Sequence, residues 1–264
     1  MEVHAHSHTA DPDSHRGKKK WTHYLWEFLM LFLAVFCGFL AENQREHMVE
    51  HSRAKAYAKS LLQDLQNDTE DISKAASFEM LTVSMIDSLV DFVSDKSPAK
   101  KSGQLYYYMR LAGHIYTVDW SKATLNQLIN SGNLRYFTNS ELVTKISAYS
   151  THTNIITTMQ EWIDKNRDRA ATYRDHIFNA QWAQVFAIYG MNDLYNGIKS
   201  PFIDSLRNLD VPLQNKDTDQ LNSYANALLA TKPNRQALVM NRFPKAIKEA
   251  IEIMELIKKE YHLK

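Results

Sequence analysis

One apolar stretch constrains the fold of this chain more than any other feature. Residues 24–41, YLWEFLMLFLAVFCGFLA, are eighteen consecutive residues among which Glu27 carries the only charge. A helix needs about 20 largely apolar residues, with roughly 17 as a lower limit, to cross the hydrocarbon core of a bilayer. The sequence therefore predicts a transmembrane helix, which we place at residues 21–41.

Aromatic and basic residues border this stretch as they do at membrane interfaces. Trp21, Tyr24 and Trp26 supply amphipathic rings, and residues 16–20 contain four basic residues. The basic cluster favours a cytoplasmic N-terminus and a C-terminal domain in the periplasm, with the helix in a bacterial inner membrane. Small residues that a signal peptidase requires are missing around residues 39–41, so we expect an uncleaved signal anchor. A buried core helix is the alternative, but the rest of the chain is far more polar.

Two features inside the predicted span suggest interactions of their own. Glu27 lies four residues after His23, so its carboxylate can pair with His23 near the interface. The alternative is a functional role, since ionisable groups within a membrane often have one. Ala34, Gly38 and Ala41 share one helical face, and small residues at this spacing let two membrane helices approach closely. This face predicts self-association as a homo-oligomer.

The remaining sequence predicts helices throughout. Seven Gly and six Pro are few for 264 residues, and neither occurs between Glu42 and Asp95. We therefore predict an all-α chain, in which the span continues through a juxtamembrane stalk, residues 42–60, into a helical-bundle domain, residues 61–264. Apolar or small residues step by three and four along this helix, with Glu79 as the one break: Ala58, Leu62, Leu65, Thr69, Ile72, Ala76, Val83, Ile86, Val90 and Val93.

Local signals divide the domain into further helices. Ser121 suits a helix N-cap, Gly132 suits the left-handed position after that helix, and residues 138–141 match a capping box in which Thr138 would cap the next helix. That helix is predicted from Ser140 to about Tyr189, with a buried face that includes Trp162, Phe178, Trp182, Val185 and Phe186.

The C-terminal part contains two more predicted helices. One begins at Asp217 or Thr218 and runs to Leu229, and the last covers about 234–261 with a bend at Pro244. Between Gly190 and Lys216 we predict irregular structure. The predicted core face of the last helix consists of Ile247, Ile251, Met254 and Ile257 or Lys258.

Two histidine patterns raise the question of metal binding. The leader, residues 1–20, is polar and expected to be disordered, and His4, His6 and His8 in it have a spacing that can bind a transition metal. Residues 47–51, HMVEH, match an inverted zinc-protease motif with His47 and His51 as ligands and Glu50 as base. A solvated tail and a solvated helical face are the favoured interpretations. The leader has no fold to hold its three imidazoles, and HMVEH has no third ligand or enclosed cleft nearby.

Charge and motif content narrow the class of function. A net charge of +1 gives no reason to expect a nucleic-acid partner, and the single Cys lies in the span. No phosphate-binding loop or nucleophile elbow occurs, so we expect no cofactor and no enzymatic activity. The leading hypothesis is a sensor-like or scaffold-like protein whose domain binds a ligand or an envelope protein, with the lipid bilayer as its other partner. An oligomeric membrane scaffold and a zinc hydrolase are the alternatives.

Two stretches resemble a known group of proteins. The first comprises the span pattern Tyr24, Glu27, Gly38 and Ala41, the segment GFLAENQREH at the end of the span, and then LLQDLQNDT. The second is TLNQLINSGNLRYFTNSELVTKISAY, in which the matching positions are Leu128, Ser131, Gly132, Leu134, Asn139, Leu142 and Tyr149. They are similar to a widespread group of uncharacterised single-pass membrane proteins of Bacteroidetes-type bacteria. The resemblance implies an anchor followed by a helical domain, and it implies no particular chemistry.

Overall fold

A computed structural model of the chain describes residues 21–95, 100–187 and 201–263, with the side chains of 202 and 203 left aside. It confirms the all-α prediction: an isolated bridge between Phe178 and Leu213 is the only strand-like pairing in these ranges. The helices are α1 Trp21–Ser94, α2 Ser102–Ala112, α3 Lys122–Asn130, α4 Ser140–Ile177, α5 Ala180–Ala187, α6 Pro201–Arg207, α7 Thr218–Leu229, α8 Lys232–Ala237 and α9 Phe243–Tyr261. The same ranges contain a 3₁₀ turn at Asn133–Tyr136 and a π-helical turn at Leu238–Arg242.

The chain divides into two compact units, residues 1–52 and residues 53–264. The described part of the first unit is the beginning of α1, where every side chain from Trp21 to Val49 is exposed. An 18-residue window there has a mean hydropathy of 2.0, so this helix is long and apolar enough to cross a membrane. Along it the rings of Phe28, Phe32 and Phe36 stack at centroid distances of 6.3 and 5.8 Å.

The second unit begins earlier than the predicted bundle domain, which we placed at residues 61–264. Ala54 and Ala58 of α1 are already buried. They belong to a first hydrophobic cluster that combines α1 with α3, the N-terminal half of α4 and α9, and that includes Leu61, Leu65, Ile72, Leu128, Ile146, Ile156, Ala250 and Ile253.

A second hydrophobic cluster lies further along α1. There Ile86 and Leu89 pack with residues of α2, the C-terminal part of α4, α5 and α7, including Tyr106, Ala170, Phe178, Phe186, Tyr224 and Leu228. Helix α2 lies close to α6 because Gly103 has no Cβ, which would collide with the carbonyl oxygens of Leu206 and Leu209. Helix α6 itself was not predicted, since its sequence fell in the region expected to be irregular.

Several local predictions are confirmed and others are wrong. Gly132 has the left-handed conformation, with φ of 67°, and Asp217 caps α7 by accepting a hydrogen bond from the Asp219 amide at 2.9 Å. Helix α4, however, is capped by Asn139, whose Oδ1 accepts from the Leu142 amide at 3.1 Å. Asn is at least as good a cap as Thr and stands one residue nearer, so the predicted role of Thr138 is wrong.

The predicted length of α4 is also wrong. The helix ends at Ile177, because Phe178 is extended and the Ile177 carbonyl accepts from the Gln214 amide at 2.9 Å. Asn179 then caps α5 by accepting from the Gln181 amide at 3.0 Å. The end predicted at Tyr189 and the turn at Gly190 lie outside the described residues.

Two predicted core residues are exposed. Trp162 is 43% exposed and Ile251 is 44% exposed. The buried face of α9 consists of Phe243, Ala246, Ala250, Ile253, Ile257 and Tyr261, so the prediction is confirmed at Ile257. The small residues Ala246 and Ala250 lie on this face beside Ile253 and Ile257, so the size of the apolar side chains alone did not identify it.

Candidate functional site

A cavity of about 1040 Å³ lies in the second unit among α2, α4, α5 and α7. Part of its wall is apolar and is formed by Met109, Phe178, Phe186, Tyr224 and several alanines. The rest of the wall is polar or charged and includes His114, three arginines and two aspartates: Arg110, Arg167, Arg174, Asp168 and Asp175. Cavities that hold small organic ligands have about this volume and this mixture of apolar surface with a few polar groups.

An aromatic cluster fixes the corner between α4 and α5 that bounds the cavity. The ring of Phe178 lies 4.9 Å from that of Tyr106 and 5.8 Å from that of Tyr224. The Tyr106 hydroxyl donates to the Pro212 carbonyl at 2.7 Å and accepts from the Asn179 amide at 2.9 Å. These contacts hold the chain where it leaves α4, so the cavity wall is rigidly supported on this side.

Arg110, in the last turn of α2, is the most unusual residue of the wall. Its Nε and Nη1 atoms are buried and have no hydrogen-bond partner among the described residues. Burial lowers the pKa of the guanidinium, and no carboxylate contributes to raise it again. A guanidinium nevertheless stays protonated in proteins, so the cavity wall contains a partly buried cation without a carboxylate partner among the described residues.

The other two arginines of the wall are already paired. Arg167 lies 2.8 Å from Asp164 and 3.4 Å from Asp168, measured between Nη2 and Oδ1. Arg174 donates from Nε and Nη2 to Oδ1 of Asp175, at 3.0 and 2.9 Å. Their charges are therefore largely balanced, whereas that of Arg110 is not.

The pKa of His114 is affected by the positive charges around the cavity. Burial lowers the pKa of its imidazole first, and the charges of Arg110, Arg167, Arg235 and Arg174 lower it further. The ordinary pKa of histidine is about 6.5, so the ring is neutral at pH 7. It can donate or accept a single hydrogen bond without adding to the positive charge.

The residues predicted from the sequence lie elsewhere. Trp21, Tyr24 and Trp26 are exposed on α1, and Glu27 Oε1 lies 3.0 Å from His23 Nε2, the pair that their spacing predicts. Ala34, Gly38 and Ala41 are exposed on the same helix, and a Cβ at Gly38 would meet nothing within 4 Å.

The histidine motif on α1 is not part of an enclosed site. His47 and His51 are exposed, and His47 Nδ1 lies 4.0 Å from Glu50 Oε2. The described ranges contain no group of three His, Cys, Asp or Glu side chains placed to hold a metal ion. His4, His6 and His8 lie outside the described residues.

Sequence reasoning missed every charged residue of the cavity. A signal was present, because Arg167 and Arg174 are seven residues apart and so share a face of α4, and Arg110 is the one charged residue of α2. The cavity that contains the arginines of α2 and α4 also depends on the end of α4 at Ile177, and the sequence did not predict that helix end.

No protein-family model, curated protein or solved structure matches this chain. The fold and the cavity therefore define the class of this protein. It is an all-α domain with an arginine-lined cavity, and its first helix begins with a segment able to cross a membrane.

Proposed function

We propose that this chain is a non-enzymatic, single-pass inner-membrane protein whose periplasmic helical domain binds a small ligand in the arginine-lined cavity. The cavity is the observation that supports ligand binding, since its size and its mixed wall suit a small organic molecule. The apolar beginning of α1 and the basic residues before it support the anchor and its orientation.

The packing around the cavity suggests how binding affects the rest of the domain. Ala170, Phe178, Phe186 and Tyr224 line the cavity and also belong to the hydrophobic cluster that contains Ile86 and Leu89 of α1. A ligand that rearranges these side chains therefore changes the packing of α1. The role is sensor-like or scaffold-like, because the wall offers cations and apolar surface and none of its residues is a serine, threonine or cysteine nucleophile.

The orientation is tested with alkaline phosphatase, which is active only in the periplasm, fused after Lys264 of the full chain. We expect an active fusion, and an external protease should digest the domain in spheroplasts. The complementary fusion after Lys264 to green fluorescent protein, which fluoresces only in the cytoplasm, should be dark because the basic residues keep the N-terminus in the cytoplasm. The opposite pattern of activities would show that the domain faces the cytoplasm.

Ligand binding is tested by filling the cavity. Ala183 lines it from α5, so Ala183→Trp should project an indole ring into the space beside the apolar wall, whereas Gln181→Trp adds the same side chain at an exposed position of the same helix outside the wall. In native mass spectrometry of the full-length protein, we expect a small-molecule adduct on the wild type and on Gln181→Trp that Ala183→Trp loses. An adduct that survives Ala183→Trp, or the absence of any adduct, would contradict ligand binding in this cavity.

A further inference from the structure

The charge balance of the cavity wall selects the kind of ligand. Arg167 and Arg174 have carboxylate partners within 3.0 Å, and Asp168 and Asp175 of the wall are both engaged with them. Arg110 has no carboxylate partner in the part of the chain that the structure describes, although its Nε and Nη1 atoms are buried. One positive charge in the wall is therefore left to be neutralised by something that enters the cavity.

A single anionic group suits this position better than water or a neutral group. A buried charge without a partner is unfavourable, and a guanidinium binds carboxylate or phosphate oxygens through two parallel N–H bonds. Arg110 lines the cavity and has no carboxylate partner among the described residues, so an anion that enters the cavity would be the counter-ion of its guanidinium. The neutral imidazole of His114 adds no competing charge.

The remaining wall determines the body of the ligand. Met109 precedes Arg110 in α2, and Phe178 and Phe186 line the cavity from the corner between α4 and α5. Alanines at 170, 171, 180, 183 and 187 contribute small apolar side chains. Burial of an apolar group against such a surface is favourable, whereas burial of a sugar or of a second charge there is not.

We infer that the cavity binds a small organic acid, whose single anionic head group pairs with the guanidinium of Arg110 and whose apolar body contacts Met109, Phe178 and Phe186. This inference rests on the proposed function, because it names the chemical class of the ligand for the same cavity.

The inference is tested with a pair of probes that differ only in charge, 4-phenylbutyrate and 4-phenylbutanamide. Equilibrium dialysis uses the full chain in lipid nanodiscs, with empty nanodiscs as the blank. We expect the wild type to bind the acid at least about tenfold more tightly than the amide, because a charge-assisted hydrogen bond is worth at least about one factor of ten.

Two variants with the same change of charge test whether the preference for the acid over the amide depends on Arg110. Arg110→Gln should abolish it, whereas Arg169→Gln, at an exposed position of α4 outside the wall, should retain it. Arg110→Gln should also unfold no more easily than the wild type, because it removes a buried charge that has no partner. A tenfold preference that persists in Arg110→Gln would overturn the inference.

A third measurement needs no variant. The positive charges that lower the pKa of His114 are those of Arg110, Arg167, Arg174 and Arg235. An anion bound at Arg110 offsets part of this field, so saturation with 4-phenylbutyrate should raise the pKa of His114 in an NMR titration, and the amide should not. Equal binding of acid and amide would overturn the inference while leaving ligand binding intact, and binding of neither probe would also overturn it. The adduct lost in Ala183→Trp tests the proposed function separately.

Discussion

Removal of one member of the buried pair between Glu79 and Arg235 is expected to lower the free energy of unfolding by about 3–5 kcal/mol. The Arg235 Nη1 and Glu79 Oε2 atoms lie 2.6 Å apart, and both side chains are 0% exposed. Burial raises the pKa of Glu79 even though Arg235 lowers it, so this carboxylate depends strongly on its partner. Glu79→Gln would leave the Arg235 charge buried without a counter-ion. Urea unfolding followed by tyrosine and tryptophan fluorescence measures the loss.

Two further variants separate the effect of burial from that of charge. Lys232 and Asp87 form an ion pair between the same two helices, α8 and α1, but Asp87 is half exposed. Asp87→Asn should therefore cost at most about 1 kcal/mol. The double variant Glu79→Leu/Arg235→Met, which replaces both charges by apolar groups, should recover most of the stability lost in Glu79→Gln. Equal losses in Glu79→Gln and Asp87→Asn would contradict the account.

This pair shows where sequence reasoning reached its limit. In the sequence Glu79 is the one break in the apolar face of a long helix, and nothing local explains it. Its partner Arg235 is 156 residues away along the chain. Within α1, Glu79 stands between the residues of the first hydrophobic cluster, which end at Ala75, and those of the second, which begin at Ile86. The break in the pattern was therefore a real feature that only a distant residue could explain.

The parts of the fold that depend on local chemistry were predictable. The absence of Gly and Pro predicted α1 as far as Ser94, Gly132 adopts the left-handed conformation, and Asp217 begins α7. Predictions failed where a tertiary contact overrides local preference. Helix α4 ends at Ile177 without a Gly or Pro, because the Ile177 carbonyl bonds the amide of Gln214 instead of continuing the helix.

The candidate site depends on the same feature. Its cations come from α2 and α4, and its apolar wall comes largely from α5, which exists as a separate helix only because α4 ends at Ile177. In a single helix from Ser140 to Tyr189, Phe178 and Phe186 would continue along the axis of α4 beyond Arg174 and would not form a second wall. The sequence therefore supplied the residue types of a binding site without the turn that assembles them.

Loss of the Asp68 carboxylate is the other change expected to have a large effect. Asp68 is buried in α1, where its Oδ1 accepts from the Ser121 amide at 2.7 Å and its Oδ2 accepts from the Tyr149 hydroxyl at 2.8 Å. Asp68→Ala leaves two buried donors unpaired and should lower the free energy of unfolding by about 2–4 kcal/mol. Asp68→Asn should cost less, because burial raises the pKa of Asp68 and so disfavours its charge, and the Tyr149 hydroxyl can accept from the new amide.

A neighbouring carboxylate provides the control for this prediction. Asp64 lies one turn earlier on α1 and accepts from the Thr124 amide at 3.3 Å, in a less buried position. These two carboxylates, rather than the predicted Ser121 side chain, satisfy amides at the start of α3. Asp64→Ala should therefore lower the free energy of unfolding by less than about 1 kcal/mol. Hydrogen exchange at the Ser121 amide should accelerate in Asp68→Ala and stay slow in Asp64→Ala, and equal effects of the two variants would show that burial of Asp68 does not decide the stability of this segment.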